Sequence, residues 1–476
     1  MSLSLPAPCD GAGGDGRCER AAHPRLVLTT CILASSLAFI DGSVLNVALP
    51  AIGRSYQAAT AEVQWVINAF TLPVTALLLV GGGAGDLYGR RRMMVGGIVL
   101  FTAASILCAA APSLGLFLAA RALQGVGAAM LLPNSLATLS AVFEGEARGR
   151  AVGTWAAVGA IAGAVAPMLG GWLVDTAGWQ FIFLLNLPIA LAAIALALLV
   201  VPESVNADRP PPDWAGGALA TVGLGGLTWG LTAWSAGGGL DRATIGSLAA
   251  GAMLVFVFLL VEHRRGREAM VPLGMFGARA FVGLTAFTFL LYGALGGLML
   301  LLPYTLIEAG GYGATEAGFA LLPLPIVLAI GSPLMGKLAA RIGPRWPLTI
   351  GPIVVAGGFA LAFLTGADSN YWTGVLPSLL AISAGLAIAV APLTTAVLSS
   401  VERSHVGTAS GLNSAVARGG GLIATALLGV VLSQQGAALI DGYHGAALVG
   451  VVLALVAALI AFFTLGEVRG AARSSR

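Results

Sequence analysis

The sequence predicts an all-α membrane protein with fourteen spanning helices, and three observations carry that expectation. Of its 476 residues, 58% are hydrophobic and only 9% are charged, against about 25% charged in soluble globular chains. So few polar side chains cannot cover a soluble surface of this size. Mean hydropathy is +0.92, and the apolar residues form long continuous runs rather than the roughly ten-residue alternating segments of a barrel. A run of about 20 crosses a bilayer as a helix that bonds all its own backbone groups. The composition disfavours a disordered chain, a nucleic-acid partner and a disulfide-stapled scaffold. The net charge of +3 is no argument for an acidic partner.

In chain order, residues 1–24 are rich in Gly, Pro, Ala and charge and are expected to be a disordered cytoplasmic tail. They lack the ordered regions of a cleaved signal peptide, so the first apolar run is expected to stay as a membrane anchor. Cys9, Cys18 and His23 find no fourth ligand and no CxxC pairing, so no metal is expected there. The fourteen apolar runs are 26–50, 63–83, 93–111, 114–142, 151–174, 179–201, 214–234, 245–261, 280–307, 317–340, 346–366, 374–400, 406–433 and 445–465.

An even span count with both termini cytoplasmic can be tested against the basic residues. Arg90, Arg91, Arg92, Arg148, Arg150, Arg264, Arg265, Arg267, Lys337, Arg341 and Arg345 then all fall on the cytoplasmic side. Only Arg54 and Arg242 fall outside, and only Arg121 and Arg418 fall within spans. A wrong count would scramble this bias, so the positive-inside rule supports both count and orientation.

The loop between the second and third spans, 82–92, reads GGAGDLYGRRR, and that between the tenth and eleventh, 336–345, reads GKLAARIGPR. Aligned on their glycines, both are G-x-x-x-x-x-x-G-x-R. Two copies on the same side of the membrane point to two halves in parallel orientation. Their offset of eight spans rather than six points to two inserted helices. The expected organisation is a six-helix half at 25–201, a linker at 202–213 and two extra helices at 214–262. A basic loop at 263–279, a second six-helix half at 280–466 and a tail at 467–476 follow. In the first loop the glycines permit a tight turn. Asp86 can serve a neighbouring helix N-terminus, and the arginines sit at the anionic leaflet.

These residues resemble the major facilitator superfamily. The loop 82–92 is similar to its motif A, matching at Gly82, Asp86, Gly89, Arg90 and Arg91, with Ala84 and Leu87 in place of the usual Leu and Arg. Arg121, Gln124 and Gly125 resemble motif B on the fourth helix. Gly159, Gly163, Pro167, Gly170 and Gly171 resemble the antiporter motif C on the fifth, with Ala166 for its usual Gly. Residues 41–50 (DGSVLNVALP), Gln64, Trp65 and 183–188 (FLLNLP) resemble the fourteen-span drug:proton antiporter branch, of the EmrB/QacA kind. The likeness runs over about 25–465. It implies the major facilitator fold, two pseudo-symmetric six-helix halves plus two inserted helices, and multidrug efflux by antiport, as in antibiotic resistance.

Charges inside a bilayer are functional candidates by default, and three stand out. Asp41 lies nine residues before Pro50, roughly 13 Å from that helix end, and Arg121 lies roughly 10 Å inside the fourth helix. The superfamily fold implied by the resemblance lines one cavity with both helices. Asp41 and Arg121 are therefore expected to be paired, directly or through Gln124 or water, as the proton-coupling groups. A static ion pair is the competing reading. Arg418, near the middle of the thirteenth span, has no acid of matching depth, and a structural role stays open beside a substrate contact. Where the family often has Gln, Gly419 follows it. Asp86 is expected to gate, Asp175 to mark a helix boundary, and Glu62 and Asp241 to be solvated. Gly159, Gly163 and Pro167 share a helix face that suits sliding.

Asn46, Trp65, Phe70, Trp155, Tyr292 and Arg418 are the candidate cavity residues, the aromatic ones offering surface to a lipophilic cation. No HExxH, GxSxG or GxxxxGK[ST] occurs, and His23, His263, His405 and His444 are assigned to the tail or loops. No enzyme and no cofactor are expected, and the proton gradient is the energy source. The expected function is proton-coupled export of lipophilic, cationic compounds, with export of an endogenous metabolite as the alternative. The expected setting is a bacterial inner membrane, as a monomer. A periplasmic adaptor is an open partner. Lys337 as the only lysine fits a GC-rich bacterial gene.

Overall fold

A computed structural model describes residues 23–205, 212–266, 269–366, 370–402 and 406–465. Cys9, Cys18, Arg267, His405, half of the linker and nearly all of both tails lie outside the described residues. The described chain is a set of antiparallel helices. The first seven are α1 (Pro24–Tyr56), α2 (Thr60–Tyr88), α3 (Arg90–Ala110), α4 (Leu114–Val142), α5 (Gly145–Thr176), α6 (Gln180–Val200) and α7 (Trp214–Ala233). The others are α8 (Arg242–Arg265), α9 (Arg279–Glu308), α10 (Ala314–Ile342), α11 (Arg345–Leu364), α12 (Leu376–Ser399), α13 (Val406–Leu427) and α14 (Gly436–Thr464).

Twelve of these, all but α7 and α13, are long and apolar enough to cross a membrane. At 20 and 22 residues α7 and α13 have the length. Their many glycines and hydroxyl residues, with Asn413 and Arg418 in α13, hold their apolarity below that of the others.

Three expectations need correction. Pro50 does not end α1, which runs on to Tyr56 and closes at Gln57 with φ 52°; neighbouring helices can re-satisfy the freed backbone group. The last helix starts at Gly436 rather than near 445, so His444 is helical. Its Nε2 lies 2.8 Å from the Thr365 carbonyl oxygen. His263 is likewise in the last turn of α8, where a basic residue suits the helix dipole.

Helix α1 packs on α4, α5 and α6, and α4 on α2 and α3. In the second group α9 packs on α13 and α14, and α12 on α10 and α11. The groups meet where α2 touches α13, α5 touches α10 and α1 touches α9. Helix α7 lies against both α2 and α13, along one seam between the groups, and α8 packs on α7. The outer face of α8 leaves Met253, Phe256 and Leu259 exposed, as a lipid-facing surface requires. Asp213 closes this pair, accepting the Gly216 N–H at 2.8 Å and pairing with Arg265 at 2.8 Å.

The duplicated loop has a duplicated geometry. Gly89 (φ 108°) and Gly343 (φ 85°) end α2 and α10 in the left-handed region, where a side chain would be strained. Eight residues on, Gly97 and Gly351 make matching close approaches. A Cβ on Gly97 would lie 2.8 Å from the Gly127 carbonyl oxygen of α4, and one on Gly351 would lie 2.8 Å from that of Gly385 of α12.

Candidate functional site

Asp41 of α1 and Arg121 of α4 meet inside the first helix group. The Arg121 side chain is 1% exposed and that of Asp41 0%. Arg121 Nη1 donates to Asp41 Oδ2 at 2.6 Å and to Gln124 Oε1 at 2.5 Å. Gln124 Nε2 donates to Asp41 Oδ1 at 2.9 Å and to Ser105 Oγ at 2.8 Å. The three side chains thus close a ring in which both carboxylate oxygens are occupied. The spacing explains part of it, because Arg121 and Gln124, three apart, share a helix face. Arg121 makes further contacts. Its Nε donates to the Val66 carbonyl at 3.2 Å, and its guanidinium lies 4.6 Å from the Phe70 ring centre and 5.8 Å from that of Phe183. Asn186 of α6 extends the network, donating to Ser105 Oγ at 3.3 Å.

At the end of the bundle that carries the arginine-rich loops, Asp86 accepts from Arg90 Nε at 3.0 Å and Nη2 at 2.8 Å. Arg90 also donates to the Ala137 carbonyl of α4 at 3.3 Å. A residue the motif did not reveal completes this corner. Glu203, just after α6, accepts the backbone N–H groups of Arg91 at 3.0 Å and Arg92 at 3.3 Å. It sits on the N-terminus of α3, where the helix dipole favours an acid. Gly89 leaves room for it, since a Cβ there would lie 2.6 Å from Glu203 Oε1. An acid following Pro202 at the end of an apolar run was the available signal.

At the opposite end, three contacts join the two helix groups. Arg54 of α1 pairs with Glu308 of α9 at 2.8 Å. Asp175 of α5 accepts from Thr315 N at 2.8 Å and Thr315 Oγ1 at 2.6 Å, capping α10. The boundary acid is therefore a cross-group latch. Gln64 of α2 donates to the Thr425 carbonyl of α13 at 2.7 Å, and Thr425 Oγ1 donates to Asn68 at 2.6 Å. The glycines of α5 serve two partners. Gly159, Gly163 and Gly170 face Phe39, Ser43 and Val44 of α1, with Ser43 Oγ donating to the Gly163 carbonyl at 2.8 Å. Gly171 and Pro167 face α10 at Ala314 and Gly318.

The sequence model of the Major Facilitator Superfamily matches residues 31–287 and 284–476. The chain belongs to the Major Facilitator Superfamily. It is 34% identical over 409 residues to a Mycobacterium tuberculosis protein named Multidrug resistance protein Stp, covering 86% of this chain and 76% of that one. It is 32% identical over 455 residues to the Cephamycin export protein CmcT of Amycolatopsis lactamdurans, covering 94% and 93%. A solved D-xylose–proton symporter shares the fold, with a TM-score of 0.68, 16% identity and coverage of 94% and 99%. The chain is a multi-pass membrane protein, and the relatives and the fold are those of transporters.

In this superfamily member the aromatic candidates do not converge on one cavity. Phe70, 3% exposed, belongs to the arginine's surroundings and stacks edge-on with Phe101. Trp155 donates to Ser35 Oγ at 2.9 Å and meets Phe39 edge-on. Asn46 is buried on α1, and Trp65 is partly buried on α2. Tyr292 and Arg418 do come together, across α9 and α13, in the wall of a cavity of about 330 Å³. That cavity reaches from Arg418 to Leu398 and Ser410, beside the ends of α12 and α13 nearest the basic loops.

Proposed function

We propose that this chain is a drug:proton antiporter of a bacterial inner membrane, working as a monomer with no cofactor beyond the proton gradient and no covalent chemistry. It has fourteen spanning helices. Six lie in each of the halves 25–201 and 280–466, and α7 and α8 are inserted at 214–262. Both tails, the linker 202–213 and the loop 263–279 face the cytoplasm, because the arginine-rich loops cluster on that side. The relatives named for multidrug resistance and for export of an antibiotic support drug efflux. Export of one endogenous metabolite is the narrower alternative, favoured by the relative named for cephamycin.

The observation that carries the coupling is the sealed ring of Asp41, Arg121 and Gln124. With Asp41 ionised, the ring is neutral and each partner satisfied. A proton on Asp41 leaves the guanidinium as an uncompensated charge among apolar side chains, which is strongly unfavourable. The cost falls if α1 and α4 shift so that Arg121 meets water. Proton uptake thereby favours a second arrangement of the halves, and alternating access follows. The conformation described is closed by the contacts at Arg54, Asp175 and Gln64, with its cavity at the cytoplasmic end.

Ethidium efflux from energised cells, with and without a protonophore, tests this reading. Wild-type efflux should stop with the protonophore. Asp41→Asn should abolish gradient-driven efflux while the protein still inserts and folds. Normal efflux by a well-folded Asp41→Asn protein would remove Asp41 as the coupling group.

A further inference from the structure

A cavity with one unpaired cation and no described acid lies between α9, α12 and α13. Arg418 lines it, and among the described residues its guanidinium makes no ion pair and no hydrogen bond. Residues Ser410, Asn413, Ser414 and Arg418 present one face of α13 to the space, at the spacing that keeps helical side chains on one side. Thr394 faces them from α12 and Tyr292 from α9.

The polar groups here are unequal. Ser414 and Thr394 spend their hydroxyl protons on the carbonyls of Ser410 and Val390. The Asn413 carbonyl oxygen lies 2.8 Å from Thr288 Oγ1, which shares its proton with the Leu284 carbonyl, and the Asn413 NH₂ has no partner among the described residues. The Tyr292 hydroxyl makes no hydrogen bond to a described residue. The unspent donors are therefore a guanidinium, an amide NH₂, a phenol and the Ser410 hydroxyl. A bare guanidinium within a spanning helix is costly and is kept where it meets water or a counter-ion.

We propose that this cavity binds an anionic group of the exported compound, a carboxylate or an ionised phenol on a lipophilic body. Arg418 is the counter-ion, and Asn413 and Tyr292 are further donors. The inference rests on the reading of the chain as an exporter of lipophilic small molecules, and it adds to that reading a subsite for an anionic group. The volume of about 330 Å³ suits a drug-sized ligand rather than a long chain.

The test is equilibrium binding of dansylglycine and dansylglycinamide to the purified full chain, read by energy transfer from tryptophan. The two probes differ only in a carboxylate replaced by a neutral amide. The wild type should prefer dansylglycine by about tenfold or more, the usual worth of a hydrogen-bonded charge partner. Arg418→Gln should erase the preference, and Arg418→Lys should keep most of it. Ser414→Asp, which leaves Arg418 in place and adds a negative charge to the cavity wall, should weaken dansylglycine binding by about tenfold and spare the amide. It keeps the test open if Arg418→Gln does not fold.

A wild type that binds both probes equally or neither overturns the proposal, as does a folded Arg418→Gln or Ser414→Asp protein with the preference intact. The exporter reading fails separately. Proteoliposomes that move neither ethidium nor dansylglycine under a proton gradient, while the carboxylate preference holds, would leave the anion site and remove the transport.

Discussion

Arg121 and Arg418 both lie in the interior of long helices, and they are handled in opposite ways. Arg121 of α4 is 1% exposed and is met by Asp41, Gln124, the Val66 carbonyl and two aromatic faces. Arg418 of α13 has no partner among the described residues and stands in a cavity wall. A charge shut away from water must bring its counter-charge with it, whereas one that faces a cavity can take its partner from outside. On the readings proposed above, the difference separates a coupling element, internal to one half, from a binding element, open to the exported compound.

The comparison breaks most readily at Arg121. Arg121→Met leaves the Asp41 carboxylate buried without its counter-charge. It should cost about 3–5 kcal/mol, seen as a large loss of thermal stability of the detergent-solubilised protein. Adding Asp41→Asn to Arg121→Met should restore part of that loss, because the two sites are coupled. A smaller effect is expected at Gln124, which bonds Arg121, Asp41 and Ser105 at once. Gln124→Leu should cost about 1–3 kcal/mol and lower coupled transport without abolishing it. The smallest effect is expected at Arg418. Arg418→Met removes no hydrogen bond or ion pair among the described residues and should leave stability within about 0.5 kcal/mol of wild type. A loss there comparable to that of Arg121→Met would mean that Arg418 is structural, and the contrast would collapse.

The duplicated loops make a second, quieter comparison. Both end a helix on a glycine with positive φ, Gly89 and Gly343, and both feed a close glycine crossing. Yet only the first has an acid within it, Asp86, clasped by Arg90, and only the first is clamped by Glu203. In the second, Ala340 stands where Asp86 would, and the Arg345 guanidinium lies 4.3 Å from the Phe462 ring centre. The backbone device is repeated, whereas the acid within the first loop has no counterpart in the sequence of the second.

Much of this was legible in the sequence. Apolar run length places the spans, because a bilayer demands about 20 residues per helix whatever the neighbours are. Motif spacing exposed the repeat, and depth along each helix put Asp41 level with Arg121. What depth does not supply is the angle at which a side chain leaves its helix, or which helix stands opposite. For that reason Phe70 and Trp155 read as cavity residues and turn out to pack against Arg121 and Phe39. Asp175 and Glu203, for the same reason, did not disclose that they cap α10 and α3. Helix ends such as Tyr56 beyond Pro50 also escaped, since a proline's lost backbone bond can be made good by packing.

The sequence by itself therefore determined the solvent, the run of long apolar helices and the motifs, all of which depend on composition and one-dimensional spacing. Only the tertiary structure decided that Asp41, Arg121 and Gln124 close a ring, that α7 lies along the seam of α2 and α13, and that Arg418 has no partner among the described residues. Those facts depend on how helices far apart in the chain are set side by side. Short-range electrostatics and hydrogen bonds act over a few ångströms of space, not of sequence.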